Sequence, residues 1–257
     1  MFLRSMPLTY RFAIIACFIS LAPVTAQAQF TPSVAFSSRV FTSFKQGAAN
    51  NCAAIAVIKA SIATFGMDTT NGIFKEDRTS PEDSVHHITL RSGEVFTISA
   101  AQISQAKDYS KFEMVAGATP EPLIVDRAYL LYAVMAQRAA KLSAQPGSIF
   151  GEAASSYEGG LKLLSWEGRD ADLLPALFGF KTVDVPTTST DQIAYIQTNY
   201  YHAVFAMQGM YDEHGVPTPT GRLDSIHSAC FLHICLHKGQ LDASYLQAPP
   251  QAATDLN

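Results

Sequence analysis

Gln46-Gly47-Ala48-Ala49-Asn50-Asn51-Cys52, followed at once by the apolar run Ala53 to Phe65, sets a cysteine at the first turn of a predicted helix. Ala53, Ile55, Ala56, Ile58, Ile62 and Phe65 recur at near-helical spacing on a broad apolar face, and Gly66 is a natural C-cap. The positive end of a helix dipole favours thiolate over thiol, and the thiolate is the nucleophile. Gln46 can swing an amide N–H toward a carbonyl oxygen under attack by that sulfur, and backbone N–H groups at the helix start supply a second donor. The same cysteine also fits a small buried residue after a polar turn, so the rest of the chain has to decide.

Beyond Gly66 the pattern is mixed. Phe30 to Phe44 reads as extended and 67–84 as a polar loop. His87 to Leu90 and Glu94 to Ile98 form a hairpin about Arg91-Ser92-Gly93. Ser99 with Gln102 makes a capping box for a helix to about Lys111. Leu123 to Leu142 is a long, central helix, and 146–160 is a loop near a possible boundary. Ala171 to Phe178 is a short helix stopped by Gly179. Lys181 to Val185 is a strand, and Thr188 to Thr198 a further helix. Two strands close the chain, Tyr201 to Met210 and Ser228 to Leu236. The order is a helical first part carrying Cys52 and a β-rich last part, so a cysteine on one lobe can face a base on the other.

The N-terminus reads as a secretory signal peptide. Arg4 and Arg11 are basic, Phe12 to Val24 is apolar apart from Ser20, and Ala26-Gln27-Ala28 is a small-residue cleavage site. The apolar run is too short to span a bilayer. It continues past Cys17, which argues against lipid attachment there. The domain expectation is a signal peptide at 1–28, one folded domain at 29–247 and a disordered tail at 248–257. Export to a periplasm or beyond follows. Net charge over the 257 residues is −4, and loss of residues 1–28 makes it more acidic. No basic cluster follows, which disfavours nucleic acid and, once the signal is removed, an anionic membrane as partners.

Cys52, Cys230 and Cys235 remain after that cleavage, an odd number that leaves a free thiol. Along a strand Cys230 and Cys235 lie roughly 16 Å apart, against the ~7 Å limit for a disulfide. They read as core thiols, which leaves Cys52 as the reactive one.

A thiolate nucleophile needs an imidazole within hydrogen-bond reach. Of the seven histidines, His202 opens the apolar strand Tyr201-His202-Ala203-Val204-Phe205-Ala206-Met207. His227, in Ile226-His227-Ser228-Ala229, is the rival base, with no further strong strand after it. His86 and His87 have no carboxylate or cysteine at ligand spacing, so a hairpin surface is expected rather than a metal site. His233 and His237 share one face of the last strand by default.

Gln-Gly-x-x-x-x-Cys at a helix start, followed later by His-Ala-Val opening a strand, resembles the papain-like and calpain-like cysteine peptidase superfamily. The resemblance covers two short motifs in the family's chain order. It implies an α+β, papain-like two-lobed fold, with Cys52 at a helix N-terminus of the helical lobe and His202 on the β-rich lobe. It implies a hydrolase that cleaves peptide bonds through a thioester, with Gln46 as oxyanion donor, a peptide or protein substrate, and no metal or organic cofactor. The chain departs from the family where an asparagine or aspartate should orient the histidine. No Asn-Ser-Trp or Asn-Pro-Trp occurs, Trp166 precedes His202, and Ala53 replaces the aromatic residue after the cysteine. Asp212 and Asp224 are the available acids, and Asp224, nearer a strand junction, is the expected orienter. If the two last strands pair, His237 falls opposite His202. The same Cys–His pair serves transglutaminases, deamidases and peptidoglycan amidases, and a non-catalytic binding protein on this fold is the alternative from another class.

Overall fold

A computed structural model describes residues 34–67, 72–77, 85–90, 92–119, 121–148, 150, 154–165, 174–184, 194–198, 202–219 and 232–240. The signal peptide, the tail 248–257, Asp224, His227 and Cys230 lie outside the described residues. The fold is α+β, with five α-helices and two antiparallel sheets among those residues.

The first helix, α1 (Val34–Ser43), replaces the extended segment expected there. Its Ser and Thr residues are weak helix formers, so tertiary packing carries it: Phe41 lies on Phe205 with ring centroids 4.7 Å apart. Helix α2 (Cys52–Phe65) follows, buried along most of its length, and Gly66 ends it with φ 73°. Strand β1 (Phe74–Asp77) forms within the segment expected to be loop. It pairs with β2 (Val85–Leu90), which forms the expected hairpin with β3 (Val95–Ser99). Ser99 then caps α3 (Ala100–Ser110): its hydroxyl accepts from the Gln102 N–H while the Gln102 side chain accepts from the Ser99 N–H.

Helix α4 (Pro122–Ser143) is the central helix, and α5 (Tyr157–Leu164) crosses it where Gly160 meets Ala136. A Cβ at Gly160 would lie 2.1 Å from the Ala136 carbonyl oxygen, so the crossing requires glycine. A 3₁₀ turn, Leu174–Phe178, occupies the expected short helix.

The remaining strands are β4 (Phe180–Asp184), β5 (Tyr195–Thr198), β6 (Ala203–Met207), β7 (Met210–Glu213), β8 (Val216–Pro219) and β9 (Leu232–Gln240), ordered β4-β9-β5-β6-β7-β8. Two expectations are corrected here. Residues 195–198 are a strand rather than the end of a helix, because Tyr195 and Ile196 fill the two buried faces of the sheet. The last strand does not pair with the His202 strand. It inserts between β4 and β5, with His233 opposite Gln197 and His237 opposite Lys181.

Strand β6 is buried on both faces. Ala203, Phe205 and Met207 join the main core, which runs from the helices through to the small sheet. Val204 and Ala206 point the other way and pack with Tyr195 and Tyr211. Helix α2 lies against β6. That packing brings the start of α2 to the start of β6. No helix among the described residues is long and apolar enough to cross a membrane.

Candidate active site

The loop before Cys52 is clamped at several points. Lys45 N–H donates to the Glu113 carbonyl at 2.8 Å, and Glu113 N–H returns to Lys45 at 3.1 Å. Gly47 sits so close to the next segment that a Cβ would fall 2.1 Å from the Lys111 carbonyl oxygen, so close approach explains the glycine of the Gln-Gly pair. Gln46 Nε2 donates to the Ala49 carbonyl at 2.8 Å. An amide nitrogen carries two hydrogens, so this bond fixes the side chain and leaves the second hydrogen for another acceptor.

Asn51 is buried, and its amide donates to the Ser110 carbonyl at 2.7 Å. It takes the N-cap position of α2 without capping it through its side chain. The first N–H groups of α2 are therefore not occupied by that side chain, the usual consumer of such donors. Behind the loop, the buried Tyr132 shares a 2.7 Å hydrogen bond with Ser165. Burial pushes its phenol up to about 12 against opposing hydrogen bonds from Ser165 and Asn51, which keeps it neutral. Cys52 itself is a free, half-buried thiol.

Cys52 lines a small, solvent-open cleft. Gln46 and Cys52 line one side, and Ile55, Ala56, Val204 and Phe205 give it apolar surface. His202, at the entry to β6, lines it too, with Asp212 and His214. Residues nearly the whole domain apart thus share one concavity, and three of them are the predicted Cys52, His202 and Gln46. Asp224 lies outside the described residues.

Two further residues shape the cleft: Asp212, one of the two acids the sequence offers, and His214, to which the sequence alone gives no role. The turn from β7 to β8 has positive φ at both residues, His214 at 54° and Gly215 at 88°, the I′ pattern favoured in two-residue hairpins. Its first residue is normally Asn or Asp, and histidine is among the few side chains that enter this region with any frequency. The turn is held from below: Gly215 N–H donates to Asp212 Oδ1 at 2.7 Å. It is also held from the side, because a Cβ on Gly215 would fall 2.2 Å from Val115 Cγ2. The His214 ring lies 6.2 Å from the His202 ring, tilted by 31°.

Asp212 Oδ2 meets the Lys59 ammonium at 2.6 Å, with side chains 7 % and 0 % exposed. Lys59 also donates to the Phe41 carbonyl at 2.8 Å and lies over the Phe44 ring at 4.8 Å. Burial lowers the Lys59 pKa, and the Asp212 charge and hydrogen bond work against that shift. This ion pair ties α1 and α2 to β7 directly beneath the cleft. The signal for it was present: a lone lysine inside an otherwise apolar helix needs a buried acceptor.

Of the hairpin histidines, His87 is exposed as expected, but His86 is not a surface residue. Its Nδ1 lies 2.7 Å from Glu76, which also accepts from Arg127 at 2.9 Å, all three side chains being largely buried. Strand β1, which forms inside the polar 67–84 segment, supplies that carboxylate. Among the described residues no cluster of His, Cys, Asp and Glu is arranged to hold a metal ion.

Comparison of the chain with family models, with curated proteins and with solved structures found no match.

Proposed function

We propose that this chain is an exported, papain-like cysteine hydrolase acting on peptide bonds. The helical part carrying Cys52 and the sheet carrying His202 act as its two lobes. The observation that carries the reading is the single cleft lined by Gln46, Cys52 and His202. Each was singled out by residue type and spacing, and each has a distinct task in acyl transfer.

In the proposed reaction His202 takes the proton of the Cys52 thiol, and the sulfur attacks the carbonyl carbon of the bound amide. The carbonyl π pair moves to oxygen. That oxyanion is met by the second Nε2 hydrogen of Gln46 and the N–H groups at the start of α2. On collapse the C–N bond breaks, and the His202 imidazolium protonates the leaving amine. The resulting thioester is hydrolysed by a water that gives its proton to His202, and Cys52 returns as a thiol. The apolar wall of Ile55, Ala56, Val204 and Phe205 suits an uncharged backbone segment of substrate.

The test is labelling of the folded chain with a peptide-based thiol electrophile, followed by mapping of the modified residue. Modification of Cys52 that is lost in His202→Ala is the expected result. Labelling of Cys230 or Cys235 in preference to Cys52, or Cys52 labelling independent of His202, would refute the assignment.

A further inference from the structure

Resting on the hydrolase reading, we infer that His214 determines specificity in this cleft, by selecting a substrate that carries a carboxylate beside the scissile bond. The carboxylate is that of an acidic side chain or of the substrate's own C-terminus. His214 lines the same cleft as Cys52 and is exposed to solvent. Its ring centre lies 6.2 Å from that of His202. That is too far for a hydrogen bond between the two rings, and near enough for a substrate held at His202 to pass beside His214.

The charges around the ring decide the ligand chemistry. Among the described lining residues Asp212 is the sole acid. One of its oxygens meets the Lys59 ammonium at 2.6 Å and the other accepts from the Gly215 N–H at 2.7 Å, so its charge is answered. Strand alternation turns Glu213 to the opposite face. There its Oε2 accepts from the Thr218 hydroxyl at 3.0 Å and the Tyr211 hydroxyl at 3.2 Å. An imidazole presents an N–H in either charge state, and the hairpin spends both of its acids elsewhere. A cleft whose acid is neutralised and whose rim carries that donor suits an anionic group and not a cation. The mount of the ring fits such a task. A φ of 54° is costly for a side chain with a Cβ, and Asn or Gly would fill the turn position with less strain, so the turn itself gains nothing from histidine. The turn is nonetheless locked, by Gly215 N–H on Asp212 and by Gly215 against Val115. A ring on a fixed turn binds with little ordering cost.

The test uses the full chain as wild type, His214→Gly and His214→Asp. Both replacements tolerate positive φ, and urea midpoints check that they fold. The probes are peptides with a thiol electrophile in place of the scissile bond, made as two matched pairs. One pair sets Glu against Gln at the residue after the electrophile, with amidated ends. The other sets a free C-terminal carboxylate at that residue against its amide. The readout is the ratio of Cys52 labelling rates within each pair, because a general loosening of the site slows both members and leaves the ratio standing. In the wild type at least one pair should favour the carboxylate by about tenfold, the low end for a hydrogen bond to a charged group. That ratio should fall to about one in His214→Gly and below one in His214→Asp. The pair that shows it identifies the source of the carboxylate. Fast wild-type labelling with both ratios at or below one overturns the carboxylate role alone. So does a preference that persists in His214→Gly. A wild-type Cys52 labelled by every probe no faster than in the urea-unfolded chain overturns the hydrolase reading, and the specificity role falls with it.

Discussion

Replacing Lys59 by methionine isolates what the buried ion pair contributes to the site. Methionine fills much of the same volume without charge. In the native fold Lys59 Nζ is 2.6 Å from Asp212 Oδ2, with the lysine fully buried and the aspartate nearly so. Removing the cation leaves a buried carboxylate whose remaining partner at that pair is the Gly215 N–H. Breaking one side of such a pair costs about 3–5 kcal/mol. For a chain of this size that lowers Tm by about 2–4 °C per kcal/mol. The double change Lys59→Met with Asp212→Asn should recover most of the loss, because the asparagine oxygen still accepts from Gly215 while the stranded charge is gone. Urea unfolding of the wild type, both singles and the double gives the coupling energy directly. pH supplies a further check on sign. Burial lowers the Lys59 pKa below 10.5 in the fold. Between the lowered value and 10.5 the unfolded chain holds more protons, so this group makes stability rise with pH across that window. That contribution should vanish in Lys59→Met. A single-mutant loss under about 1 kcal/mol, the scale of an exposed pair, or a double mutant no better than the single, would refute the reasoning.

Gln46→Ala should lower kcat by roughly 10²–10³, as loss of one oxyanion donor does, and an unchanged kcat would return Gln46 to a turn-forming role through Ala49. Gly47→Ala drives a Cβ into the Lys111 carbonyl. It should cost about 1–3 kcal/mol of stability and slow Cys52 labelling, both measurable on one preparation; a neutral result would show that the loop yields freely. His202→Ala should abolish turnover while His227→Ala keeps it, and the opposite outcome in folded proteins would move the base to the later segment. Exported protein should begin at Gln29 by N-terminal sequencing, and recovery of an intact Met1–Ala28 segment on exported chains would remove the processing step.

The parts of the fold that were legible in the sequence are those whose instructions are local. Helix α2 announced itself through its apolar spacing and Gly66, and α3 through the reciprocal Ser99–Gln102 cap. The β2–β3 hairpin carried its turn residues with it. Helix α1 and strand β5 were misread for the opposite reason. Val34–Ser43 is poor in strong helix formers and is held by Phe41 against Phe205, more than 160 positions later. Tyr195–Thr198 extends because β9 and β6 flank it, and its own residues do not choose between strand and helix. The insertion of β9 between β4 and β5 is non-local in the same sense.

The candidate site divides along the same line. Gln46, Gly47 and Cys52 lie within one loop and helix start, and His202 opens an unmistakable apolar strand, so residue type and spacing were enough to find them. What supports His202 spans the chain: the pair that anchors its neighbourhood joins residue 59 to residue 212. Distance from a strand junction favours Asp224, which lies outside the described residues, while the acid that Lys59 meets is Asp212. Lys59 was the stronger clue. A single ammonium in the middle of Ile55 to Ile62 has to find a carboxylate or lose its proton. An acid two residues before a His-Gly turn is well placed to take both the ammonium and the turn's free N–H. With α2 carrying a buried cation against β7, Asp212 is committed to that ammonium and to the turn it caps.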